Sequence, residues 1–85
     1  MVIHKKELLK NLCYTELVYD RINKKLSTNY SKLEIEEKLY TVIQETEVDS
    51  FLKKGKNFYI INKKHSIRVT INSNTFRVIT VDKIK

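Results

Sequence analysis

The hydrophobic period of this chain changes once, at Phe51, and that change restricts the fold more than any other feature. Before it, Ile35, Leu39, Val42, Ile43 and Thr46 recur at i, i+4, i+7, i+8 and i+11, the spacing that lines one face of an α-helix. After it, Ile67, Val69 and Ile71 alternate with Arg68, Thr70 and Asn72, the spacing that lines one face of a strand. Helices precede strands rather than alternating with them. The expected class is therefore α+β: two to three N-terminal helices packed on one face of a three- to four-stranded antiparallel β-meander. With 85 residues there is room for one core. We expect a single domain over 1–85, helical over 1–49 and a basic meander over 50–85.

Local signals refine this outline. Residues 4–12 read as a short amphipathic helix with Leu8, Leu9 and Leu12 on one side. Thr15 is a candidate N-cap for a second helix reaching Leu26, with Val18, Ile22 and Leu26 as its inward stripe and Leu17 beside it. After a loop at 27–30, Ser31 and Glu34 have the spacing of a capping box and open the third helix. Punctuation is otherwise sparse, with no proline and one glycine. Extended pieces are expected at 51–54, 57–62, 67–72 and 75–82, with a turn or bulge at Gly55, a hairpin loop at Asn62–Ser66 and a two-residue turn at Ser73-Asn74.

Those turn lengths imply a register. Pairing Asn62 with Ile67 sends Phe58 and Ile60 toward the helices, and sets Tyr59 opposite Thr70 and Ile61 opposite Arg68 on the other face. Pairing Asn72 with Thr75 sets Ile71 opposite Phe76, Val69 opposite Val78 and Ile67 opposite Thr80 on the inner face. On the outer face it sets Thr70 opposite Arg77 and Arg68 opposite Ile79. The expected open face thus carries Tyr59, Ile61, Arg68, Thr70, Asn72, Arg77 and Ile79, fringed by Lys53, Lys54, Lys56, Lys63, Lys64 and His65.

Charge follows the same division. Residues 1–50 hold 8 Lys/Arg against 9 Asp/Glu, whereas residues 51–85 hold 9 Lys/Arg against Asp82 alone. An AT-rich coding bias can raise the lysine count, but it does not segregate it. The segregation points to a negatively charged partner for one side of the sheet.

Other chemistries find little footing. The single Cys13 makes no internal disulfide and fits a reducing, cytoplasmic setting; beside Leu12 and Tyr14 it reads as a buried apolar cysteine. His4, His65 and Cys13 lack metal-ligand spacing, so no metal and no cofactor is expected. One glycine cannot make a phosphate-binding loop. No apolar run is long enough to span a membrane, and Met1–Glu7 lacks the apolar core of a signal peptide.

Three segments carry a resemblance: Tyr14-Thr15-Glu16-Leu17 with Arg21-Ile22, then Lys54-Gly55-Lys56-Asn57-Phe58-Tyr59, then Ile71 through Thr80. Together they resemble a family of small bacterial proteins classed as a domain of unknown function, DUF3781, over nearly the whole chain. Where the family pattern has Ala-His after the last Thr, this chain has Val81-Asp82, which removes a histidine from that position. The resemblance implies no activity, cofactor or catalytic residue.

The leading expectation is a small basic module, not an enzyme, that binds nucleic acid (RNA ahead of DNA) or another polyanion. Its expected contacts are Tyr59, Arg68, Thr70, Arg77, Lys54, Lys56, Lys63, Lys64 and His65, because Arg and Lys meet phosphates and Tyr stacks on bases. Three alternatives use the same face. One is a metal-free endoribonuclease like compact ribonuclease toxins, with His65, Tyr59, Arg68 and Arg77 around the scissile phosphate. Another is a mobile-element inhibitor that binds a nucleoprotein enzyme. The last is a homodimer joined through Tyr59, Ile61 and Ile79.

Overall fold

A computed structural model describes residues 5–84. Met1–His4 and Lys85 lie outside the described residues, and with them the start of the expected 4–12 helix, His4 as a weighed metal ligand and much of the segment read for a signal peptide. The elements are α1 (Lys5–Asn11), α2 (Glu16–Leu26), α3 (Lys32–Glu45), a 3-10 turn (Val48–Ser50), β1 (Phe51–Lys54), β2 (Asn57–Asn62), β3 (Ile67–Asn72) and β4 (Val78–Lys83). The four strands form one antiparallel sheet in the order β1-β2-β3-β4. The architecture is the expected α+β meander, with the helices on one sheet face.

The helical stripes are buried as the 3.6-residue period requires. Leu8, Val18, Ile22, Leu26, Ile35, Leu39, Val42 and Ile43 share one core with Phe51, Phe58, Ile60, Ile67, Val69, Ile71, Val78 and Val81 from the sheet. Leu17 is 78% exposed and stands outside the stripe. Helix α3 begins at a complete capping box: Glu34 N donates to Ser31 Oγ at 3.2 Å and Ser31 N donates to Glu34 Oε1 at 2.9 Å. Thr15 occupies the N-cap of α2, but its side chain accepts no bond there. Lys5 of α1 donates its Nζ to the Gln44 and Thr46 carbonyls, satisfying acceptors exposed at the C-terminus of α3.

Three strands have the expected bounds and both of the first two hairpins have defined turns. Lys54 pairs with Asn57 around Gly55-Lys56, and Gly55 has φ +62°. A glycine with positive φ at the first central position, followed by a residue without it, is the type II′ arrangement. Gly55→Ala is expected to lower stability by about 1–2 kcal/mol through backbone strain alone, since the space around the position is open; urea unfolding checks this. Asn62 pairs with Ile67 and Tyr59 with Thr70, while Ile61 faces Arg68, all as the turn lengths require.

The third hairpin departs from expectation. Its loop is Ser73–Phe76 rather than Ser73-Asn74, and β4 begins at Val78 rather than residue 75. The Asn72 side chain causes part of this. Its Oδ1 accepts from Asn74 N at 2.8 Å and Thr75 N at 3.0 Å, which winds the chain into an Asx turn. Phe76 then takes φ +58° and packs partly buried against the core, while its N donates to Asn72 O at 2.9 Å. Asn72 N in turn donates to Arg77 O at 2.9 Å. Ile71 faces Val78, Thr70 faces Thr80, Val69 faces Val81 and Arg68 faces Asp82. Ile79 is the extra residue of a β-bulge between Val78 and Thr80.

The segment between α1 and α2 protects the start of β4. Cys13 N donates to Phe76 O at 3.1 Å and Val78 N donates to Cys13 O at 2.9 Å, a short parallel bridge that covers part of this sheet edge. Cys13 is exposed rather than buried: its backbone makes the bridge, and its Sγ donates to Thr75 O at 3.5 Å. At the other end of the sheet, the buried Asn62 ties the β2–β3 hairpin to α3. Its Nδ2 donates to Val42 O (3.1 Å) and Thr46 Oγ1 (2.9 Å), and its Oδ1 accepts from His65 N (2.8 Å).

Candidate nucleic-acid interface

The sheet face away from the helices has three rows of side chains, set by the observed register. Ile61, Arg68 and Asp82 form one end row; Leu52, Tyr59, Thr70 and Thr80 form the middle; Lys54, Asn57, Asn72 and Arg77 form the other end. The expected central row of Tyr59, Thr70 and Arg77 is therefore broken by the longer loop and the bulge. Arg77 stands opposite Asn72, four residues along β3 from Arg68, or roughly 13 Å at ~3.3 Å per residue.

Each expected contact residue now has a place. Tyr59 is on the open face and half-buried. Thr70 points to the same side, but with only 5% exposure it is covered by its neighbours and presents little to a ligand. Arg68 is paired: its Nη2 lies 3.3 Å from Asp82 Oδ2. Lys25 of α2 holds the same carboxylate from beyond the edge of β4, at 3.2 Å. Lys63, Lys64 and His65 lie in the β2–β3 loop, at the end of the strands remote from Arg77. Two of these are held by Glu45 at the end of α3, with His65 Nε2 2.7 Å from Oε2 and Lys64 Nζ 3.5 Å from Oε1. Lys53 pairs with Phe58, hence on the helix side of the sheet at its exposed margin.

Lys63 is exposed at that same remote end, and three other cations lie along the opposite end of the sheet, Lys54 and Arg77 three strands apart or roughly 14 Å at ~4.8 Å per strand. Lys54 ends β1, Lys56 lies in the first turn and Arg77 precedes β4. Ser73 fastens the two turns together, donating from both its N (2.8 Å) and its Oγ (2.9 Å) to Lys56 O. Lys54, Lys56 and Arg77 are all exposed, and none has a carboxylate at ion-pair distance among the described residues. Asn57, Asn72 and Asn74 supply amides beside them.

Leu52 joins this face and was missed by the sequence reading. Its signal was present, since a two-residue turn at Gly55-Lys56 sets Leu52 opposite Tyr59. It is 55% exposed. Leu52, Lys54, Gly55, Tyr59, Ile61 and Arg68 line a shallow depression of about 440 Å³. Asp82 is the second omission, an acid that neutralises the row Arg68 occupies.

The ion pairs make stability acid-sensitive. A hydrogen bond from His65, reinforced by Lys64, holds Glu45 below the usual carboxylate range. Burial pushes Asp82 upward, but the hydrogen bonds from Lys25 and Arg68 outweigh it and leave the group below its ordinary value. Glu34 is lowered by the Ser31 backbone and hydroxyl at the cap. In each case the unfolded chain binds its proton at higher pH than the folded one. The stabilisation is complete above the unfolded carboxylate range and is lost as pH falls through the folded values. Thermal melts are expected to show the midpoint falling below about pH 4, and Asp82→Asn is expected to flatten that fall.

The chain matches the DUF3781 family, described as a protein of unknown function, over residues 6–82. No curated protein and no solved structure matches it.

Proposed function

This chain belongs to the DUF3781 family of proteins of unknown function, so we propose a function from its own residues: it binds nucleic acid through the open face of the sheet, with phosphates seated on Lys54, Lys56 and Arg77. One observation carries this reading. These three cations lie along one end of the face with no acid at ion-pair distance among the described residues, whereas Arg68, Lys64 and His65 are each held by a carboxylate. Arg77 offers a planar fork to phosphate oxygens, and the two lysines add mobile charge.

Binding is favoured over cleavage by the position of His65. It stands at the Ile67 end of β3 near Arg68, whereas Arg77 stands at the Asn72 end, so Arg77 does not join His65 and Arg68 on one phosphate as the ribonuclease reading requires. A nucleoprotein partner would be met by the same cationic end.

Fluorescence anisotropy with a labelled oligonucleotide at increasing salt tests the proposal. Three neutralised phosphates predict that the logarithm of affinity falls with the logarithm of salt concentration at a slope of about −2 for a single strand. Binding that is absent at low salt, or indifferent to salt, contradicts it.

A further inference from the structure

We propose, resting on that reading, that the nucleic acid taken by this face is single-stranded, with an unpaired base lying in the depression between Leu52, Tyr59 and Ile61. The floor of that depression is apolar and aromatic, and its rim carries Lys54 at one end and Arg68 at the other. Such a floor is of use to a base only when the base is unpaired and its flat face can reach the ring of Tyr59; in a duplex the bases are stacked on one another and the protein meets phosphates. At the far end of the sheet face Lys25 and Arg68 are both engaged by Asp82, so they are less free to seat a phosphate than the unpaired cations at the Lys54 end. The strand is therefore directed over β1 and β2, with its phosphates toward Lys54 and Lys56, and continues along that end of the sheet toward Arg77.

Exposed apolar side chains on a sheet also suit a second copy of the chain. Charge argues against it. The charges without an ion-pair partner among the described residues, Lys54 at its rim and Lys56 and Arg77 further along the same end of the sheet, have one sign, and Asp82 is already held by Lys25 and Arg68. Two such faces placed together would oppose like charges without a free acid between them. A polyanion brings the complementary charge itself.

The test compares a labelled single-stranded oligonucleotide with the same sequence as a duplex, at fixed salt, for the wild type, Tyr59→Ala, Tyr59→Phe and Leu52→Asp. Leu52 is exposed, so its replacement keeps the test open if Tyr59→Ala does not fold. The wild type is expected to bind the single strand at least about 10-fold more tightly than the duplex, in keeping with the energy of one stacked base. Tyr59→Ala and Leu52→Asp are expected to remove that preference, and Tyr59→Phe to keep it. Salt-dependent binding with equal affinity for both forms overturns the inference while leaving the polyanion reading in place. No binding of either form overturns both. A dimer in sedimentation that Leu52→Asp dissociates assigns the face to a second copy and likewise overturns the inference.

Discussion

Lys54→Glu, Lys56→Glu and Arg77→Glu, combined in one chain, are expected to reduce oligonucleotide affinity by about 100-fold or more at moderate salt and to leave the melting midpoint nearly unchanged. The magnitude follows from the electrostatics of phosphate binding. Each phosphate left without its cation keeps its condensed counterion, so the gain from releasing that ion disappears, and each glutamate adds repulsion of the backbone. Every reversal removes two units of charge, so the formal net charge falls from +7 to +1. Stability is little affected because the three side chains are exposed and hold no ion-pair partner among the described residues, and surface changes of that kind stay within about 0.5 kcal/mol. The matched control is Lys64→Glu with Lys63→Glu in the opposite loop. It makes a smaller change in net charge, and a much weaker effect per charge locates binding at the Arg77 end. Equal effects per charge from the two ends would show a diffuse attraction and no site. The salt slope adds a second readout, since the triple variant is expected to lose nearly all of it.

Asn62→Ala is expected to damage folding most, with a loss of about 2–4 kcal/mol. The side chain is 5% exposed and uses both of its ends. Truncation removes bonds to Val42 O, Thr46 Oγ1 and His65 N together, each worth about 1 kcal/mol net, and leaves a small cavity between sheet and helix. The β2–β3 loop then loses its tie to α3, and the pairs that Glu45 makes with Lys64 and His65 lose the geometry that sustains them. For a chain of this size the loss corresponds to a fall in midpoint on the order of 15 °C. Urea unfolding followed by far-UV circular dichroism measures it. Asn62→Asp is expected to be at least as damaging, because a buried carboxylate has no proton to donate to the Val42 carbonyl. A loss under about 0.5 kcal/mol for Asn62→Ala, less than one net hydrogen bond, would mean that the hairpin is anchored by its apolar face alone.

The legible parts of this fold are those governed by local chemistry. The capping box of Ser31 and Glu34, the inward stripe of α3 and the first two hairpins follow from spacing that a single stretch of chain contains. The third hairpin did not, because two interactions compete there. Asn72 and Asn74 suit a tight turn, yet Phe76 gains by reaching the core, and the loop lengthens so that it can. The bulge at Ile79 then restores the inward placement of Val81. That one change moved Arg77 by a row and put Asp82 in the place expected for Ile79, which dissolved the expected arginine cluster. Cys13 was misplaced for a related reason: its role is a backbone bridge to β4, and no side-chain pattern announces such a bridge. Which lysines are free was also hidden, since it depends on Glu45 and Lys25 arriving from helices distant in sequence.

If nucleic acid meets the helix-free face of the sheet at its Lys54–Lys56–Arg77 end, the amides of that end must feel it. Titrating ¹⁵N-labelled protein with an unlabelled single-stranded oligonucleotide reads this out residue by residue. The largest shifts are expected at Leu52–Tyr59 and Asn72–Arg77, with little change along the outer surface of α3. Shifts concentrated on the helices, or none at oligonucleotide excess in low salt, would rule that interface out.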